Sequence, residues 1–284
     1  MLELQQYLFQ ASIGPVQSFI ASARRTRDLW FGSWLLSELS RAAAQAVVDN
    51  QGDLIFPSNL QAENVANKIV ATISREPRQV GDAVKAAVKA RLDAIWQRAR
   101  HEIRGELLDA QAVEGQIAAL VECVWAAVPL GSDYADSRRR LEALLAARKA
   151  TRDFGPATWG REVPKSSISG QLESVIPEDR YPRHQDTDKQ KAAKITALWQ
   201  NYGAGQAERL SAVDLLKRHG KKDDQDRFLS TSHVAALPFL VGLREHAGDR
   251  ALQQTWQRYI AELKAQGLEI EYLDNSQQPL IGNC

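Results

Sequence analysis

The stretch SIGPVQSFIASARRTRDLWFGSWLLSEL, residues 12–39, decides the fold, because the hydrophobic period changes inside it. Just upstream, YLFQASI (7–13) places Tyr7, Phe9, Ala11 and Ile13 on alternate positions, the period of a strand. After Pro15 the apolar residues change step to Val16, Phe19, Ile20 and Ala23, then to Trp30, Trp34, Leu35 and Leu39, which is helical spacing. The reading is a strand at about 4–12, a Gly14-Pro15 turn, and one long helix from Pro15 to about Asn50. Proline suits a first helical position, since its missing N–H has no intrahelical partner there.

Working outward, DLIFP (53–57) reads as a short strand stopped by proline, and NKIVATIS (67–74) as a strand rich in β-branched residues. From about 78 to 118 the chain is Ala-rich and helical, with Val84, Val88, Leu92, Ile95, Ala99 and Ile103 on one stripe. LVECVWAAVP (120–129) gives a fourth strand and 133–150 a further helix. Strand-helix-strand-strand-helix-strand is the order of a ferredoxin-like sheet, the palm shape of many polymerases and nucleotide cyclases. A proline-bearing connection at 153–187 follows, then helices at about 188–202, 207–219, 232–246 and 249–266, and a short strand at 268–273. The expected class is α+β: a ferredoxin-like domain with long helical insertions over 1–154, then a loop and a mostly helical domain over 155–284.

Composition bounds the function. The 36 basic and 35 acidic residues nearly cancel, so any nucleic-acid contact must come from a local patch. The two cysteines, Cys123 and Cys284, supply neither a disulfide framework nor a CxxC pair, which points to a reducing, cytoplasmic setting. Cys123 sits in an apolar run and reads as a buried thiol. No apolar run approaches the ~20 residues that span a bilayer.

Several clusters offer chemistry, each with a plainer alternative. A Gly-Pro turn between strand and helix presents backbone N–H groups where anions bind, flanked here by Ser12 and Gln17; the alternative is a tight connection that needs glycine for geometry. Arg24, Arg25 and Arg27 could hold phosphates, or Arg24 could pair with Asp28 at i,i+4 on a solvated face. Trp30 and Trp34, one turn apart, fit core or interface better than a base-stacking platform. In VPKSSISG, Lys165, Ser166 and Ser167 offer a cation and two hydroxyls to a phosphate or RNA backbone, or form an ordinary polar loop. Lys217 and Arg218 stand at a helix C-terminus, where the dipole alone favours cations. His233 is the one histidine in a suggestive setting, at a helix cap. No paired carboxylates close the first strand, no Gly-Gly-Asp-Asp and no adjacent His-Asp occur, and histidine spacing supports no metal site.

Taken together, SIGPVQSFIASARRTRDLWFGSWLLSELS, LIFPS, WAAVPLGSDYADSRRRLEALLAARKATRDF, VPKSSISGQLESVI, ERLSAVDLLKR and FLSTSHVAA run in the order they take in one family. The chain resembles the large, polymerase-like subunit of type III CRISPR effector complexes, in its Cmr branch, over that subunit's first palm and the helical domain after it. The resemblance implies two palms that convert ATP into cyclic oligoadenylates, with Mg or Mn held by a Gly-Gly-Asp-Asp palm that this chain does not contain. It also implies no catalytic or metal residue here, and an N-terminal His-Asp nuclease domain absent from this chain. By the same resemblance Ser12, Ile13, Gly14, Pro15 and Gln17 would form a wall of the ATP pocket. The resemblance also implies that the Arg24–Arg27 segment and the tryptophans stabilise the palm and its contacts, and that Lys165, Ser166 and Ser167 face nucleotide or a neighbouring subunit. Arg24, Arg25, Arg27, Lys217 and Arg218 join them as candidate contacts to phosphate, RNA or a neighbouring subunit. The implied partners are other effector subunits, CRISPR RNA, target RNA and a second-palm polypeptide. The alternative is a non-catalytic scaffold of an RNA-guided particle with no nucleotide chemistry.

Overall fold

The computed structural model describes residues 5–62, 64–108, 110–151, 162–220, 241–242, 245–246 and 248–265. Four strands, β1 (Tyr7–Gly14), β2 (Asp53–Phe56), β3 (Lys68–Ile73) and β4 (Glu122–Pro129), form one sheet in the order β2-β3-β1-β4. Every neighbouring pair is antiparallel, with Phe9 opposite Ala71 on one side and Ala127 on the other. Helices α1 (Gln17–Ala21) and α2 (Thr26–Asp49) connect β1 to β2; α3 (Pro77–Glu102) and α4 (Ala110–Ala118) connect β3 to β4. This is the ferredoxin-like order expected from the strand and helix periods.

Alternation along β1 splits the sheet's two faces. Phe9, Ala11 and Ile13 enter a core shared with α2 and α3, where Val80, Val84, Val88, Leu92, Ile95 and Ala99 recur at helical spacing and are buried. Leu8 faces the opposite way and packs with Val70, Ala126 and Val128 under α5 (Tyr134–Ala150), which contributes Leu141 and Leu145. Gln10 and Ser12 share that second face by the two-residue period of the strand. Each face therefore carries a helical layer, which buries both sides of a four-stranded sheet.

The irregular segment 162–187 holds a bridge between Lys165 and Glu173 and a 3-10 turn at Glu178–Arg180. Two further helices follow, α6 (Asp188–Tyr202) and α7 (Ala212–His219), both opened by capping boxes at Thr187 and Ser211. Gly203 closes α6 at φ +63, the left-handed conformation for which glycine is the natural residue. α7 is buried along its whole length and packs against α2, α3 and α4. The first compact unit spans Met1–Lys222, so described residues 162–220, beyond the expected boundary near 155, belong to the same unit as the sheet.

A second unit, Asp223–Cys284, contains the described helix α8 (Arg250–Ala265), on which Trp256 and Tyr259 stand 5.7 Å apart. His233, most of the helix expected at 232–246 and the strand expected at 268–273 lie outside the described residues.

Two helical expectations are revised, the first at about 78–118, where the helix stops at Glu102 and a second begins at Ala110. The helix after Pro15 is also two helices, because α1 stops at Ala21 and α2 starts at Thr26. The carbonyls released at that break have other donors. Buried Lys217 gives its ammonium to the Phe19 carbonyl and, at 2.6 Å, to that of Ser22. A cation at a helix C-terminus satisfies the carbonyls that the helix leaves unpaired.

Candidate functional site: the turn after the first strand

Gly14 is partly exposed, and Pro15 and Gln17 are exposed, so the turn meets solvent. Ile13 is committed to the core. Its N–H donates to the Asn67 carbonyl at 3.0 Å, and Asn67 Nδ2 returns a bond to the Ile13 carbonyl at 3.0 Å. Ser12 is 6% exposed, and its Oγ accepts from Lys149 Nζ of α5 at 2.8 Å. Ser12 lies opposite Lys68 on β3, whose Nζ stands 3.1 Å from Glu142 of α5. Glu142 also takes Arg138 at 2.9 Å, and hydrogen bonds from Arg138 and then Lys68 hold its carboxyl below the usual range. Beside the turn a cleft of about 180 Å³ opens between Pro15 and Phe19 on one wall and Leu120, Leu172 and Val213 on another.

The arginine segment bonds to other parts of this chain. Arg24 Nη2 donates to the Ser167 carbonyl at 2.7 Å, not to Asp28. Arg25 Nη2 donates to the Gly203 carbonyl at 2.8 Å and its guanidinium lies 4.9 Å over the Trp199 ring. Arg27 is half-buried in the first turn of α2. Trp30 and Trp34 stack at 6.3 Å and pack against the core.

Lys217 and Arg218 occupy the interior. Arg218 grips Glu208 with two bonds of 2.8 and 2.9 Å, donates to the Gly203 carbonyl at 2.6 Å and stands 3.6 Å from Asp28. Burial opposes charge on Glu208, yet bonds from Arg218 and the Gly205 N–H outweigh it and hold the carboxyl at about 2. Asp28, 2% exposed, moves the other way: desolvation raises its pKa despite the Arg218 charge. Desolvation also brings Lys217 down to about 8.

Of the remaining candidates, Ser166 Oγ donates to Asp214 at 2.7 Å, and the same carboxylate oxygen accepts the Ser211 N–H and hydroxyl at 2.8 and 2.7 Å. Ser167 exchanges backbone and hydroxyl bonds with Arg209. Lys165 stays at the surface, 3.6 Å from the Glu173 carboxylate. The structure thus joins Arg24 to Ser167 and places Arg25 beside Arg218, while the Ser12–Gln17 turn stands apart with its own cations.

Those cations, Lys68 and Lys149, escaped the sequence reading. Lys149 lies 137 residues from Ser12, and in sequence it is one more basic residue in the last turn of a helix. Two ammonium groups around a serine do not fit Mg or Mn. Among the described residues no group of three or more His, Cys, Asp or Glu side chains could hold a metal ion. Nor is any described helix long and apolar enough to cross a membrane.

The fold has counterparts among known proteins. A type III-B Cmr-beta structure bound to cognate target RNA matches with TM-score 0.57 and 14% identity, covering 86% of this chain and 38% of that one. An apo-state Cmr-beta structure matches with TM-score 0.49 and 16% identity over 77% of this chain and 32% of that one. The CRISPR system Cmr subunit Cmr2 of Pyrococcus furiosus is 29% identical over 113 residues, which is 32% of this chain and 13% of that subunit. The chain thus spans about a third of these two Cmr-beta chains, and the Cmr2 match reaches a smaller share still. The family described as CRISPR-associated protein Cmr2, N-terminal, matches residues 8–152, from the first strand to the end of α5. With the sheet, its turn and both helical layers inside that match, the chain belongs to the Cmr2 N-terminal family.

Proposed function

We propose that this chain is the first-palm part of the large subunit of a type III-B CRISPR effector complex, and that its Ser12–Gln17 turn forms one wall of an ATP pocket. The pocket would serve cyclic oligoadenylate synthesis when a Gly-Gly-Asp-Asp palm faces it and supplies the Mg or Mn. The observation that carries the reading is the turn itself: it ends the central strand of a palm-like sheet, exposes Pro15 and Gln17, and is bordered by ammonium groups. Family membership supports the assignment to a Cmr subunit. Other effector subunits, CRISPR RNA and target RNA are the partners this reading expects.

The test is ATP affinity of the chain assembled with its palm partner, against the double variant Ser12→Ala, Gly14→Ala. A methyl group at Gly14 meets no atom within 4 Å, so the variant retains the backbone. Weaker ATP binding is expected; unchanged affinity sinks the role of the turn.

The scaffold alternative draws on a different observation. Arg25, Lys217 and Arg218 spend their charges on internal partners and leave little for a phosphate. It expects assembly into the RNA-guided particle with no affinity for mononucleotides.

A further inference from the structure

At the end of β1 where a metal-dependent palm holds its carboxylates, this chain brings two lysines, Lys68 and Lys149, to the face that carries Ser12. Ser12 on β1 and Lys68 on β3 are directly opposed in the register, so their side chains leave the same face of the sheet. Lys149 reaches that face from the last turn of α5 and donates to Ser12 Oγ at 2.8 Å. A lysine in a last helical turn needs no more explanation than the helix dipole. Its direction does: Lys149 reaches across to a buried strand serine, and among the described residues no carboxylate lies within 4 Å of it. Lys68 shares Glu142 with Arg138, and Glu142 is exposed enough to swing aside. Among the described residues Glu122 of β4, opposite Gly14, also brings an acid to this end of the sheet.

We propose that Lys149 and Lys68, with the Ser12 hydroxyl between them, bind the polyphosphate of a nucleotide seated against the Gly14-Pro15 turn. This rests on the ATP-pocket reading and adds to it the residues that recognise the anion. Ammonium groups recognise phosphate as point charges and replace part of the charge neutralisation that a metal gives elsewhere. The Ser12 hydroxyl, already accepting from Lys149, turns its own hydrogen outward as a donor to a phosphate oxygen. The resulting site holds and orients an anion, and transfers nothing by itself.

The experiment compares ATP, inorganic triphosphate and adenosine as ligands of the full chain, free and assembled with its palm partner. Wild type is set against Lys149→Met, Lys68→Met and Lys149→Arg, each checked by circular dichroism. Lys149 is exposed, so its replacement leaves the core intact. The expected result is about tenfold weaker binding of ATP and triphosphate in each Met variant, unchanged adenosine binding, and recovery in Lys149→Arg. ATP binding equal to wild type in both Met variants overturns the lysine site and leaves the pocket reading standing. No ATP binding by wild type overturns the pocket reading; triphosphate binding lost in Lys149→Met would still uphold an anion site there. Lysine-dependent binding of an RNA oligonucleotide, with none of ATP or triphosphate, overturns the nucleotide assignment in favour of a nucleic-acid backbone.

Discussion

Replacing Glu208 by Gln tests the buried ionic core with the least change of shape. Arg218 has a side chain only 2% exposed, and Glu208 is its bidentate partner. Removing one member of a buried pair costs about 3–5 kcal/mol, because the other charge stays desolvated. Here Arg218 keeps the Gly203 carbonyl at 2.6 Å and Asp28 at 3.6 Å, which places the cost near the bottom of that range, about 3 kcal/mol. Titration leads to a similar size. Holding the carboxyl at about 2 rather than 4.5 is worth roughly 3 kcal/mol at about 1.4 kcal/mol per unit, and slightly less after water reaches its exposed edge. Urea unfolding followed by circular dichroism reads the effect: a slope of about 2 kcal/mol/M turns it into a midpoint lowered by roughly 1.5 M. Because the folded pKa is depressed, the stabilisation is complete above about pH 5 and disappears as pH falls towards 2. The gap between wild type and Glu208→Gln should therefore close over that window. A midpoint shift under about 0.3 M at neutral pH, or a gap independent of pH, would refute the buried-pair reasoning.

Lys217 has its folded pKa lowered, so the unfolded chain binds more protons between about pH 8 and 10.5. Wild type should gain stability over Lys217→Met across that window, by up to about 1 kcal/mol per pH unit; parallel pH curves would count against a buried ammonium. Gly81→Ala places a methyl group 1.9 Å from Trp125, whose ring stacks with Phe9 at 5.8 Å, so thermal unfolding should show a loss of about 2–3 kcal/mol. Gly115→Ala, in open space within α4, should instead stabilise by up to about 1 kcal/mol, and a loss there would contradict the helix assignment.

The sheet was legible because its information is local. Phe9, Ala11 and Ile13 alternate, the stripe from Val84 to Ile103 keeps helical spacing, and both patterns survive in the burial of the folded chain. The break between α1 and α2 was not legible, since its causes lie far away in sequence. Arg24, Arg25 and Lys217 meet carbonyls 143, 178 and 198 residues distant. Lys217 and Arg218 looked like ordinary basic residues at a helix end, because nothing in eight residues of α7 announces that the helix is buried on all sides. Ser166 offered the same difficulty: its partner Asp214 is 48 residues away. The turn was legible as a place, while the lysines beside it emerge only when β1, β3 and α5 are brought together.

The segment after the sheet is then part of the site's support. α1 has five residues, too few to hold itself, and follows the turn directly. The Phe19 carbonyl within it and that of Ser22 just after it are closed by Lys217 of α7, with the ammonium 4.4 Å over the Phe19 ring, and the chain beyond is fixed by Arg24 on Ser167 and Arg25 on Gly203. The position of the turn is thus set on one side by β1 and on the other by residues 167–217. Hydrogen exchange of Lys217→Met should reveal that division. The Ile20 and Ser22 amides, bonded to Val16 and Ser18, should exchange at least about tenfold faster, while amides between β1 and β3 keep their protection. If both sets accelerate together, α7 supports the whole unit and not the turn. If neither does, α1 stands without it, and the turn is governed by the sheet alone.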